Sequence, residues 1–174
     1  APGGYVFVTR GLLLRMRNEA ELAGVMAHEI SHVLKRHHLQ AIQKNAQTGL
    51  MADLASIAAD NTQHGELAGK AIDTGTELYA RRLDKEDEFE ADRMGVVIAA
   101  RAGYDPYGLP AVLQTLEAMN AQDSSLALMF KTHPAPQKRL ELLDGLMTGT
   151  MERYASQPLV AERFVEVVGG YAKK

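Results

Sequence analysis

The strongest constraint on this 174-residue chain is a helical register that begins at Asn18. Asn18-x-x-Glu21 has the form of a capping box, in which the two side chains satisfy free amide groups at a helix start. Behind it Leu22, Val25, Met26, Ile30, Val33 and Leu34 recur at three- and four-residue intervals, the mark of a helix with one apolar face. The register predicts a helix running to about Lys44. Similar patterns predict helices over 50–60 and 67–83, separated by a break at 61–65. Another is expected over 84–102, stopped by Gly103 as a left-handed cap. Asp105 and Pro106 then read as N-cap and first turn of the next helix. Thr132-His133-Pro134-Ala135-Pro136 reads as a stiff loop feeding a helix that holds Arg139, Leu140, Leu142 and Leu143. The tail, 151–174, reads as helical.

Only 5–9, Tyr-Val-Phe-Val-Thr, has the β-branched and aromatic content of a strand. A lone strand is not stable, so its partners are expected in chain preceding Ala1 or in weakly patterned segments. The chain starts at Ala1 and reads as a trimmed piece of a longer protein, any signal peptide or lipid anchor lying upstream. It is expected to form a single domain over 1–174.

Composition narrows the function. The net charge of −3 supplies no basic field for nucleic acid. With no cysteine, a disulfide framework, a thiolate metal site and a thiol nucleophile are all excluded. No run reaches the roughly 18 apolar residues of a membrane span; the best short run, 95–100, is bracketed by Arg93 and Arg101.

The string that carries chemistry is His28-Glu29-Ile30-Ser31-His32, an H-E-x-x-H pattern. Its histidines fall about 40° apart on one helix face and about 6 Å apart along the axis, so both imidazoles can converge on one metal ion. Glu29 lies about 60° from His32 on the same side. It can serve as general base toward a metal-bound water without being a ligand. Chance alone gives the pattern in roughly one in 70 chains with 6 His and 13 Glu in 174 residues, so the motif needs support. A catalytic zinc takes three protein ligands and keeps one open position. The acidic stretch 84–92 is the source of the third. Glu88 and Asp92 are spaced i, i+4 and share a face, while Phe89, Met94, Val96 and Val97 turn the same helix toward a core. With Glu88 on the metal, Asp92 is placed to accept the spare N–H of a ligating histidine, expected to be His28.

Three ordered segments now resemble a known family: His28-Glu29-Ile30-Ser31-His32, Glu88-Phe89-Glu90-Ala91-Asp92-Arg93-Met94-Gly95, and Thr132-His133-Pro134-Ala135-Pro136-Gln137-Lys138-Arg139. They are similar to the signatures of the M48 family of zinc metallopeptidases, which are gluzincins. Pro2 to Thr9 resembles the strand before that family's active-site helix, and Ala102-Gly103-Tyr104-Asp105-Pro106 a familiar turn. The likeness runs from residue 2 to about 143; Ser31 stands where glycine is frequent. The resemblance implies an α+β, mainly α, zincin-like fold with a small β-sheet at the active-site cleft. It implies one Zn2+ per chain held by His28, His32 and Glu88, with Glu29 as catalytic base and Asp92 behind a ligand. It also implies the family's soluble, exported branch, periplasmic or associated with an outer membrane, acting on polypeptide substrates and meeting membrane-associated protein partners.

His133 has three readings. It can belong to a plain helix-entry turn, stabilise an oxyanion, or bind zinc as a fourth, inhibitory ligand. Arg139 reads either as a structural ion pair or as support behind the site. His37, His38 and His64 read as solvated or capping. The functional expectation is a zinc endopeptidase cutting unfolded or exposed segments, the 5–9 edge pairing with extended substrate. The alternative is a zinc-binding but proteolytically latent or silent assembly or chaperone-like factor. A di-iron bundle would need a second Glu-x-x-His, which the sequence lacks, and a purely structural helical domain would bind no metal.

Overall fold

A computed structural model describes residues 4–44, 46–47, 83–119 and 133–172. The expected segments 50–60, 61–65 and 67–82, with His64 and Thr132, lie outside them.

The asparagine half of the capping box forms as the sequence predicts: Glu21 N–H donates to Asn18 Oδ1 at 2.9 Å. The glutamate half differs. Glu21 accepts from Arg17, through its amide at 2.7 Å and its Nε at 2.8 Å, and so ties the helix start to the residue before the cap. A single turn, α1, Arg10–Leu13, precedes it, capped by Thr9 Oγ1 accepting from Leu12 N–H at 3.3 Å.

Helix α2 spans Glu19–Lys35 and stops at Arg36, whose φ of 58° is left-handed. The single helix expected to reach Lys44 is therefore two. Helix α3 restarts at 37 and covers 37–44. Arg36 is neither glycine nor asparagine, the residues that usually take this conformation, so the sequence carries no mark of the break. Helix α4, Lys85–Arg101, ends before Gly103, whose φ of 87° fulfils the expected stop. Helix α5, Gly108–Glu117, begins later than predicted. Asp105 caps not a helix but a turn, its Oδ1 accepting from Tyr107 N–H at 2.9 Å. Helix α6, Pro136–Leu146, starts on its proline as expected. The tail is less regular than predicted: a π turn, Met147–Met151, and a 3-10 turn, Glu152–Tyr154, come before helix α7, Ala161–Ala172.

No strand occurs among the described residues. Residues 5–9 carry no helix and no sheet ladder, and Tyr5 and Phe7 are exposed, their rings stacked 6.3 Å apart. The described fold is thus mainly helical. No described helix is long and apolar enough to cross a membrane.

Helix α2 is the axis of the fold, packing against α4 and α5, while α5 in turn packs on α6. Val25, Val96, Leu109, Leu113, Leu143 and Phe164 belong to the shared apolar core. The helices approach closely because three contact positions lack a side chain. A Cβ at Gly108 would fall 2.1 Å from Ala20 O, one at Gly24 2.6 Å from Leu109 N, and one at Gly95 3.0 Å from His28 N. The last contact sets α4 directly against the first histidine of the motif.

Candidate metal centre

Helix α2 presents His28 and His32 one turn apart, and both rings are buried. Crossing α4 brings Glu88 under them. Glu88 Oε2 lies 3.7 Å from His28 Nε2 and Oε1 3.5 Å from His32 Nε2; the two Nε2 atoms are 3.1 Å apart. His133, just ahead of α6, comes in from the other side, its Nε2 3.8 Å from Glu88 Oε2. One donor atom from each of these four residues lies within 4.8 Å of all the others. Glu29 flanks the group, its Oε1 3.9 Å from His133 Nε2. Glu29 and His133 are about one-fifth exposed, whereas Glu88 is fully buried.

The donor set fits a metal ion. Both Glu88 carboxylate oxygens are buried with no hydrogen-bond partner among the described residues. An orphaned carboxylate is costly unless a cation matches it or it keeps its proton. Burial accordingly pushes the Glu88 pKa up to about 7 in the metal-free chain, against the pull of His28 and Arg139. Burial also holds the His32 pKa far below the usual imidazole range, with the neighbouring rings of His28, His133, His37 and His38 adding to it. His32 is therefore neutral and keeps a lone pair. Two imidazoles and a carboxylate form a His2Glu set, one of those that hold catalytic zinc in hydrolases.

Behind His28 stands a buried ion pair. Asp92 Oδ1 lies 2.9 Å from His28 Nδ1. Arg139 donates to the same carboxylate from two nitrogens, Nε at 2.8 Å and Nη2 at 2.6 Å. Burial works against the Asp92 charge, but the Arg139 guanidinium and the hydrogen bonds from Arg139 and His28 hold its pKa well below the carboxylate range. A carboxylate can only accept, so His28 donates to it from Nδ1 and turns Nε2 toward the cluster.

One residue departs from its expected place. His37 is not solvated: it is 1% exposed, with Nδ1 2.8 Å from His32 Nδ1 and Nε2 3.1 Å from Glu90 Oε2. The left-handed turn at Arg36 brings it there. On a continuous helix, five residues would carry it about 140° away from His32. His38 is half-buried, its ring 5.9 Å from that of His32.

Helix pair, H-E-x-x-H motif and glutamate from the crossing helix together define a metallopeptidase type of site. Comparison with known proteins agrees. The profile of Peptidase family M48 matches residues 1–147, and the chain belongs to that family. It is 36% identical over 143 residues to the beta-barrel assembly-enhancing protease of Escherichia coli K12, covering 79% of this chain and 29% of that protein. It is 29% identical over 144 residues to the mitochondrial metalloendopeptidase OMA1 of Schizosaccharomyces pombe, covering 82% and 41%. A protease HtpX homolog of Desulfatibacillum aliphaticivorans is 30% identical over 175 residues, covering 80% and 55%. The chain spans 29% of the length of the first of these relatives, 41% of the second and 55% of the third. No solved structure matches it.

Proposed function

We propose that residues 1–174 form a single zinc endopeptidase domain in which His28, His32 and Glu88 hold one Zn2+. The observation that carries this is the buried Glu88 carboxylate, with both oxygens unsatisfied, facing the Nε2 atoms of His28, His32 and His133. Membership of peptidase family M48 supports the same chemistry. When bound, zinc supplies a Lewis acid for the scissile carbonyl and a nucleophile at neutral pH.

The chain's own residues do the rest. Glu29, at the exposed rim, takes the attacking water's proton and returns it to the leaving amine. Asp92 and Arg139 hold His28 in the ligating tautomer. Residues 5–9, with Tyr5 and Phe7 exposed, offer an edge on which an extended polypeptide completes a small sheet at the cleft. Main-chain pairing of this kind favours unfolded or exposed segments over a strict sequence. Likeness to beta-barrel assembly-enhancing proteases supports an exported, periplasmic or outer-membrane-associated setting beside membrane-associated protein partners.

A second reading has its own observation. His133 belongs to the same four-donor group, and a fourth protein ligand leaves zinc no open position. The domain is then latent, a zinc-binding assembly or chaperone-like factor until the His133 segment withdraws. If instead His133 stays off the metal, its place beside Glu29 suits it to stabilise an oxyanion.

Zinc quantitation paired with a casein assay tests both. Wild type should hold one zinc per chain, Glu88→Ala none, and Glu29→Gln one zinc with cleavage abolished. Full zinc in Glu88→Ala would overturn the ligand set. Intact casein with zinc-loaded wild type, together with cleavage by His133→Ala, would establish latency.

A further inference from the structure

We propose that His37 is a positioning residue for the metal centre, acting with Glu90 as a relay that sets the tautomer of His32; the inference rests on His32 being a ligand. For His32 to ligate through Nε2, its ring proton must sit on Nδ1. His28 has this guaranteed by an anion, because Asp92 can only accept. Among the described residues His32 faces no carboxylate at Nδ1. It faces another imidazole, His37, with the two Nδ1 atoms 2.8 Å apart. A contact that short between ring nitrogens holds one proton, carried by one of them.

The far side of His37 decides which. Its Nε2 is 3.1 Å from Glu90 Oε2 and 3.8 Å from Asp87 Oδ1. Both are carboxylate oxygens, so His37 Nε2 carries the hydrogen and donates. With its hydrogen on Nε2, His37 offers Nδ1 as the acceptor, and the proton in the 2.8 Å contact belongs to His32. Glu90 is itself held by Lys35, whose Nζ donates to Oε1 at 2.6 Å. The order of donation is Lys35 to Glu90, His37 to Glu90, and His32 to His37. The two ligating histidines are thus oriented by different means. His28 leans on a buried charged pair, whereas His32 leans on a second ring that passes the demand to a carboxylate nearer the surface.

The backbone accommodates this arrangement at a cost. Arg36 takes a left-handed φ of 58°, unfavourable for a residue with a side chain. That turn interrupts the helix and lets a residue five positions on lie against His32, buried to 1% exposure. A side chain needed only to fill this space would not require a donor on one face and an acceptor on the other. Glutamine can reproduce that pattern, accepting from His32 through its oxygen and donating to Glu90 through its nitrogen. Phenylalanine matches the volume and can do neither.

The test uses the whole 174-residue chain. Zinc affinity is measured by competition with a chromophoric chelator for wild type, His37→Phe, His37→Gln and Glu90→Ala. Loss of support behind a ligand typically weakens binding about 10- to 100-fold. His37→Phe should fall in that range, His37→Gln should recover most of the affinity, and Glu90→Ala should lose several-fold. Glu90 lies at the surface, so its variant reads the relay even where His37→Phe fails to fold. Nitrogen-15 shifts of the metal-free protein give a readout independent of zinc: His32 should be protonated at Nδ1 and His37 at Nε2. Wild-type affinity in both His37→Phe and Glu90→Ala, or a His37 protonated at Nδ1, would overturn the relay while leaving the metal centre standing. No zinc bound by wild type would overturn both.

Discussion

A glutamate with no exposed surface and no hydrogen bond makes the metal-free chain sensitive to pH in a definite direction. With the folded pKa of Glu88 raised to about 7 from an ordinary 4.5, the native state keeps a proton that the unfolded chain has already lost between those values. The contribution of Glu88 to stability is complete below about pH 4.5 and falls as pH rises to about 7, by about 3 kcal/mol. His32, with its pKa depressed, contributes the opposite slope, losing stability as pH falls below the ordinary imidazole range. The comparison that isolates Glu88 is therefore wild type against Glu88→Gln. Urea unfolding of chelator-treated protein at pH 5 and pH 8 should show the glutamine variant gaining on wild type by about that amount at the higher pH. Equal responses would place Glu88 in a more polar setting.

These residue positions were unevenly legible. The i, i+4 spacings of His28 with His32 and of Glu88 with Asp92 put each pair on one helix face, so four of the central side chains could be read directly. Arg139 was visible only as a charged residue at the correct remove from His133. His37 was hidden, because spacing rules assume that the helix continues. The turn that aims it inward occurs at an arginine, which gives no warning of a left-handed conformation.

At the scale of elements, helix separation is governed by missing side chains. Gly108→Ala places a methyl 2.1 Å from the Ala20 carbonyl oxygen, which cannot yield without moving α2 or α5. Overpacking of this kind costs about 1–3 kcal/mol, and a fall in the thermal unfolding midpoint should report it. Helix α6 is anchored differently, through the buried Arg139 and Asp92 pair. Arg139→Met leaves Asp92 sealed with no guanidinium, a loss of about 3–5 kcal/mol, measurable by chemical denaturation. A change under 1 kcal/mol would mean that water or His28 compensates. The existence of helices was easy to read and their limits were not. Gly103 marked a true stop because its left-handed φ suits it, whereas Asp105 announced a helix that begins three residues later, after a side-chain turn of its own.

For the whole molecule, the C-terminal helix α7 is part of the same packed body, although it lies beyond the 1–147 region matched by the family. Phe164 is 3% exposed within the shared core, and Arg163 pairs with Glu19 at the start of α2 through both Nε and Nη2. Phe164→Ala should cost about 3–5 kcal/mol. The exposed Arg163 contact is worth much less. If Phe164→Ala leaves the unfolding midpoint unchanged, α7 is an appendage and the core closes without it. The mainly helical class followed from periodicity alone. The expected small sheet rested on the composition of 5–9, which forms no ladder among the described residues; a ladder is a property of two strands side by side, and no single run of sequence contains it.

Five residues separate His133, at the front of the donor cluster, from Arg139, locked to the carboxylate at its back. One short stretch of chain therefore embraces the centre like a pincer, with a proline-rich bend as its hinge and α6 as its handle. Leu143, buried at 2% exposure one turn beyond Arg139, seats that handle in the core. Any change in how it is seated reaches both jaws at once, so a substitution that touches no donor atom can still alter the grip on an ion.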